Sequence, residues 1–68
     1  MRNTIKIERA KKNITQAGLA KILNVSRLTV HSIEAEKFNP SVLLAIKMAR
    51  YFGIPVEELF IADENDLN

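Results

Sequence analysis

The chain has 68 residues, no cysteine, one histidine and a net charge of +2. One small domain of this size buries only about 60 % of its unfolded surface, and a catalytic pocket would remove much of that core, so an enzyme is not expected. Disulfides, thiolate nucleophiles and cysteine–zinc sites are excluded, His31 alone builds no metal centre, and no apolar run is long enough for a signal peptide or membrane span; the expectation is a soluble, cytoplasmic protein without a cofactor.

In chain order, Ile7, Ala10 and Ile14 fall at spacings of three and four and predict a helical stripe in the first segment. Thr15 is a good N-cap for a second helix from Gln16, in which Leu19, Ala20, Ile22 and Leu23 are expected to face inward. Asn24 tolerates left-handed backbone and ends that helix. Ser26 caps a third helix running to about Ala35. Val30 and Ile33 are its buried side, and Arg27, Leu28, Thr29, His31 and Ser32 spread over the rest. "EKFNPS" is a loop, since Pro40 disfavours helix at Asn39. Ser41 caps a fourth, strongly apolar helix from Val42 to Phe52, stopped by Gly53. Pro55 opens a last short helix through Phe60, with Glu57 and Glu58 in its first turn.

No run alternates as a strand would, so the expected fold is all-α: five short helices in one compact bundle over residues 1–62. Residues 63–68 read as a flexible acidic tail. Charge divides along the chain. Residues 1–50 hold all ten basic residues and three acids (Glu8, Glu34 and Glu36), a balance of +7. Residues 51–68 hold no base and five acids (Glu57, Glu58, Asp63, Glu64 and Asp66), a balance of −5. That split suggests a basic working face with an acidic end turned away from it.

The stretch "TQAGLAKILNVSRLTVHSIE" breaks a good helix at Asn24. A tight three- or four-residue joint lets two helices cross at about 90–120°. It needs a residue with a positive backbone angle, here Asn24, and a small residue where the second helix packs across the first, here Ala20. Leu19, Val25, Val30 and Ile33 then seal the corner. This is a helix-turn-helix, whose second helix can be offered to a DNA major groove.

On "ITQAGLAKILNVSRLTVHSIEAEKFNPS" and "LAIKMARYFGIPVEELF" the sequence resembles the phage repressor and Cro-like helix-turn-helix regulators, particularly their small single-domain bacterial and archaeal members. The resemblance covers roughly residues 3–61 and implies a lambda-repressor-like domain that binds double-stranded DNA. It departs from the family at four places. Asn24 stands where Gly is usual, Gly18 where Glu is common, Leu28 where many members carry a base-reading Gln, and Glu36 where Gly often precedes the lysine at 37. Base preference therefore does not carry over to Leu28.

The resemblance implies DNA contacts at Gln16, Ser26, Arg27, Leu28, Thr29, His31, Ser32, Lys37 and Asn39. Arg27 either bonds guanine O6 and N7 or clamps a phosphate, and Leu28 either touches a thymine methyl or packs on its neighbours. Thr29 is read as a phosphate contact, Ser32 as reaching a base edge, and His31 as facing phosphate or solvent. Gln16 and its helix N-terminus are expected to hold a phosphate, with Lys37 and Asn39 as further backbone anchors. In the resembling repressors an Arg of the first helix pairs with a Glu ending the third, so Arg9 and Glu34 are expected to form a structural pair. Lys6, Lys11 and Lys12 read as solvated charge, and Met48, Tyr51 and Phe52 as core or interface.

One recognition helix reads only a few base pairs, and two copies about 34 Å apart would read successive major grooves. A homodimer is expected through the acidic end, where Ile54, Val56, Leu59, Phe60 and Ile61 offer apolar surface. The function expected is a sequence-specific transcriptional regulator, most simply a repressor on a palindromic operator. The alternative is an antitoxin or other protein-binding module built on the same fold, which a neighbouring toxin-like reading frame would favour.

Overall fold

The first four helices are each followed by a residue in the left-handed backbone region. The computed structural model describes residues 1–67, which form β1 (Arg2–Asn3), α1 (Ile5–Lys12), α2 (Gln16–Leu23), α3 (Arg27–Glu34), α4 (Val42–Phe52), α5 (Val56–Leu59), β2 (Phe60–Ile61) and α6 (Glu64–Leu67). The hydroxyls of Thr15, Ser26 and Ser41 accept the backbone N–H of Gly18, Thr29 and Leu44 at 3.0, 3.0 and 3.1 Å, capping α2, α3 and α4 as expected. After α1 to α4 the chain turns at Asn13 (φ 53°), Asn24 (φ 58°), Glu36 (φ 64°) and Gly53 (φ 72°). Each turn carries the paired backbone bonds of a Schellman motif, as in Val25 N–H to Ala20 O at 3.0 Å with Asn24 N–H to Lys21 O at 3.2 Å. The ammonium of Lys47 adds a bond to Leu23 O at 3.1 Å, tying α4 to the end of α2.

Ile5, Leu19, Leu23, Val30, Ile33, Met48 and Leu59 are the largest fully buried side chains, with Ala20, Ala49, Phe52 and Phe60 completing the core. Three details differ from expectation. The buried residue of α1 is Ile5, whereas Ile7 is 58 % exposed and Ala10 also faces outward. One turn on from Ile5 the inward positions are Glu8 and Arg9, so the apolar stripe drawn through Ile7 follows the wrong side of the helix. Ile22 is exposed too, because Leu19, Ala20 and Leu23 already complete the inward face of α2. Leu59 and Phe60 lie in the chain's own core and leave only Ile54, Val56 and Ile61, all half-buried, at the acidic end.

The architecture also holds more than five helices. β1 and β2 pair antiparallel, Arg2 opposite Ile61 and Asn3 opposite Phe60. Two residues per strand carry no readable alternation, which is why the ribbon does not register as a sequence pattern. It closes the two ends of the domain, helped by Thr4 N–H to Leu59 O at 2.9 Å and the Thr4 hydroxyl to Glu58 O at 3.1 Å. Within the expected acidic tail, residues 64–67 form the single turn α6, and Asp66 meets the Met1 ammonium at 3.1 Å. Asn68, the last residue of that tail, lies outside the described residues. Lys12 stands 5.0 Å from the centroid of the Tyr51 ring, so this lysine packs α1 against α4 as well as meeting solvent.

Gly18 has a local reason. A Cβ there would come within 2.9 Å of Ile14 Cγ1, so the residue that weakens α2 also lets Ile14 fold over its first turn. The left-handed positions are the sites where backbone strain is testable. Glu36→Gly should raise stability by roughly 0.5–1 kcal/mol, because glycine relieves the Cβ penalty but loses more entropy on folding. Asn24→Gly should be neutral or mildly stabilising, and Asn24→Val should cost about 1–2 kcal/mol. Urea melts of the three variants check this ordering.

Candidate nucleic-acid interface

The α2–α3 corner decides which side of α3 is free. Ala20, Leu19 and Leu23 of α2 meet Val30 and Ile33 of α3 in the core, and α2 with α3 form the most extensive helix pairing in the domain. With Val30 and Ile33 turned inward, Arg27, Leu28 and His31 are exposed, while Thr29 and Ser32 are half-buried at the edge of the same face. Leu28 is 69 % exposed and sits in the first turn of α3. Ser26 and Thr29 are partly committed to each other: besides the cap bond, their hydroxyl oxygens lie 2.9 Å apart. Their first role is therefore to start the helix.

Two shallow clefts flank α3. One, of about 440 Å³, lies between α1, the start of α2 and α3, and brings together Lys6, Gln16, His31 and Glu34. The structure thus gathers Gln16 and His31, and adds Lys6, which the sequence reading had set down as solvated charge. The other cleft, of about 260 Å³, is lined by Leu28, Thr29, Ser32, Lys37 and Phe38. It joins α3 to the loop that follows and includes Phe38, a residue that the sequence reading passed over. An aromatic between Lys37 and Asn39 in an otherwise polar loop was the available signal. Lys37 and Asn39 are both exposed on that loop, with Asn39 outside both clefts.

Arg9 and Glu34 form the expected pair. Arg9 Nε donates to Glu34 Oε2 at 2.9 Å and Nη2 to Oε1 at 2.8 Å, a two-pronged contact, while Nη1 donates to Ile14 O at 3.0 Å. One guanidinium thereby holds the end of α3, the end of α1 and the approach to α2 together. Nearby, the Asn3 amide donates to Ile33 O at 3.0 Å, so the ribbon also meets the end of α3. The hydrogen bonds from Arg9 hold the Glu34 carboxyl below the usual glutamate range. Burial opposes that effect, and the Arg9 charge, the Gln16 amide and the Lys6 charge add to it.

Among the described residues no group of His, Asp and Glu is placed to hold a metal ion, and no helix is long and apolar enough to cross a membrane. The helix-turn-helix family profile matches residues 5–59. An HTH-type transcriptional regulator of Methanocaldococcus jannaschii is 46 % identical over 66 residues, covering 97 % of this chain and all of the relative. One from Archaeoglobus fulgidus is 49 % identical over 67 residues, covering 98 % and 94 % of the two chains. The regulator YgzD of Bacillus subtilis is 35 % identical over 66 residues, covering 97 % of this chain and all of that protein.

The Arg9–Glu34 pair sets a stability expectation. Its side chains are only 17 % and 11 % exposed, so removing the charge leaves the guanidinium poorly matched. Glu34→Gln should cost about 1.5–3 kcal/mol, the range for hydrogen bonds to charged groups. Because the folded pKa is depressed, the wild-type contribution is present above the ordinary glutamate value of 4.5 and is lost as pH falls through the lower folded value. Thermal melts between pH 7 and pH 3 should therefore show a steeper acid loss for wild type than for Glu34→Gln.

Proposed function

The chain belongs to the helix-turn-helix family of DNA-binding transcriptional regulators, and on that footing we propose that it is a repressor that binds a palindromic operator as a homodimer. The observation that supports this reading best is the exposed start of α3, with Arg27 and Leu28 turned outward from a buried Val30–Ile33 side. In this reading α3 enters the major groove by its N-terminal end. Arg27 and Ser32 address base edges, and Leu28 meets an apolar one. Gln16, Thr29, His31, Lys37 and Asn39 address phosphates, and Ser26 holds the helix start against the backbone. Occupying a promoter then suffices for repression, since no second domain is needed to block it.

The dimer would place two such helices about one helical turn apart, roughly 34 Å. Ile54, Val56 and Ile61 are the first surface for it, since their segment of the chain, residues 51–68, carries no basic residue for DNA. The outward side of α4 offers a second, because Val42 and Leu43 are 78 % and 69 % exposed and Ile46 lies one turn further on.

Two expectations follow from these roles. If Arg27 reads a base, Arg27→Ala should lose about 1–3 kcal/mol and relax preference at one operator position, whereas Lys37→Ala should weaken all sequences alike and lower the salt slope by roughly one unit. Binding at several salt concentrations, on a duplex enriched from a random pool and on its single-base variants, separates the two, and enrichment of an inverted repeat is the expected outcome of the selection itself.

Sedimentation tests the dimer. Ile61→Lys should give folded monomer with much weaker operator binding, whereas Leu43→Lys should leave the dimer intact. The reverse pattern would move the interface to α4, and a wild-type monomer that binds a single half-site tightly would remove the dimer altogether.

A further inference from the structure

The cleft between α3 and the following loop has an unusual composition for a surface meant to meet phosphates. Its two apolar walls come from different elements, Leu28 from α3 and Phe38 from the loop. Both are more than half exposed, Leu28 at 69 % and Phe38 at 54 %, and neither belongs to the core. The half-buried Thr29 and Ser32 and the exposed Lys37 complete its lining. No acidic residue lines the cleft.

We propose that Leu28 and Phe38 form a pocket for the 5-methyl group of a thymine in the operator, which makes Phe38 a specificity-determining residue. This rests on the DNA-binding reading of α3 given above. Among the groups that base pairs present in the major groove, the thymine methyl is the apolar one, and the O4 acceptor lies beside it. Two apolar walls match the methyl. The Ser32 hydroxyl, one helical turn on from Leu28, suits O4 as a donor, and Thr29 is already engaged with Ser26. The exposed Lys37 suits the phosphate that flanks such a base. A cleft of about 260 Å³ that is open to solvent holds the edge of a base rather than a partner helix, and its lining, with a lysine and no carboxylate, favours a nucleic acid over an acidic-rimmed protein partner. The pocket also explains how a leucine can choose a base without the hydrogen bonds of a glutamine.

Deoxyuridine provides the test, because it removes the methyl and leaves every hydrogen-bonding group of thymine in place. The operator recovered from a random pool is remade with each thymine replaced in turn by deoxyuridine, and affinities are measured for wild type, Phe38→Ala and Leu28→Ala. One thymine per half-site should be sensitive in wild type, with roughly a fourfold loss for the single replacement. Both variants should bind the thymine and deoxyuridine duplexes equally while keeping the preference carried by Arg27.

A recovered operator in which no thymine is methyl-sensitive overturns the pocket alone. Phe38→Ala that retains the full thymine-to-deoxyuridine ratio also overturns it. So does Phe38→Ala that loses affinity equally on both duplexes with that ratio intact, which would mark the cleft as packing or a protein contact. A pool that enriches nothing overturns the DNA-binding reading and the pocket with it.

Discussion

The direction of α3 depends on a left-handed turn at Asn24. With φ at 58°, the chain leaves α2, makes its two backbone bonds to Ala20 O and Lys21 O, and starts α3 three residues later under the Ser26 cap. A residue unable to hold that angle would lengthen the joint and swing α3 away from α2. Ala20 is the second half of the same constraint, because its small, buried side chain lets the helices close on one another. Everything proposed for the outward face of α3 presupposes that Val30 and Ile33 remain turned inward at this corner.

A second constraint acts from the opposite end of α3. α1 carries one fully buried apolar residue, Ile5, too little to fix a helix by burial alone. Its position is also set by the forked Arg9–Glu34 contact, by the bond from Arg9 to Ile14 O and by Lys12 over the Tyr51 ring. The charged pair therefore adds a polar fastener between α1 and α3 to the burial of Ile5 in the shared core. Its reach extends to Gln16, which shares the neighbourhood of the same carboxylate. Folding and presentation of the candidate interface are thus coupled through a few polar atoms.

Features set by one or two residues were legible in the sequence. The caps at Thr15, Ser26 and Ser41, the left-handed Asn24 and the stop at Gly53 each follow from the chemistry of one side chain and its neighbours in the chain. Features set by tertiary competition were not. Ile7 and Ile5 have the same side chain, and only the position of the other helices makes Ile5 the buried one. Leu59 and Phe60 looked available because the ribbon and core that enclose them bring together residues nearly sixty positions apart. Glu36 takes a left-handed angle with no side-chain advantage, held by the bond from Lys37 N–H to Ser32 O. At the candidate interface, residues of α3 were legible from the corner, but Phe38 lies outside the helical pattern and gains meaning only beside Leu28.

Charge divides along the chain, with every basic residue in residues 1–50, which include α3, and only acids among the charged residues of 51–68. Long-range steering toward a polyanion would favour approach by the basic segment. The most direct measurement of this account is a backbone amide NMR titration of the labelled protein with the duplex that it enriches from a random pool. The largest shift changes should fall on residues 27–32, with satellites at Gln16 and residues 37–39, and α6 should stay quiet. Changes centred on α5 and α6, with α3 unmoved at saturation, would contradict the claim that the corner at Asn24 exists to present α3 to DNA.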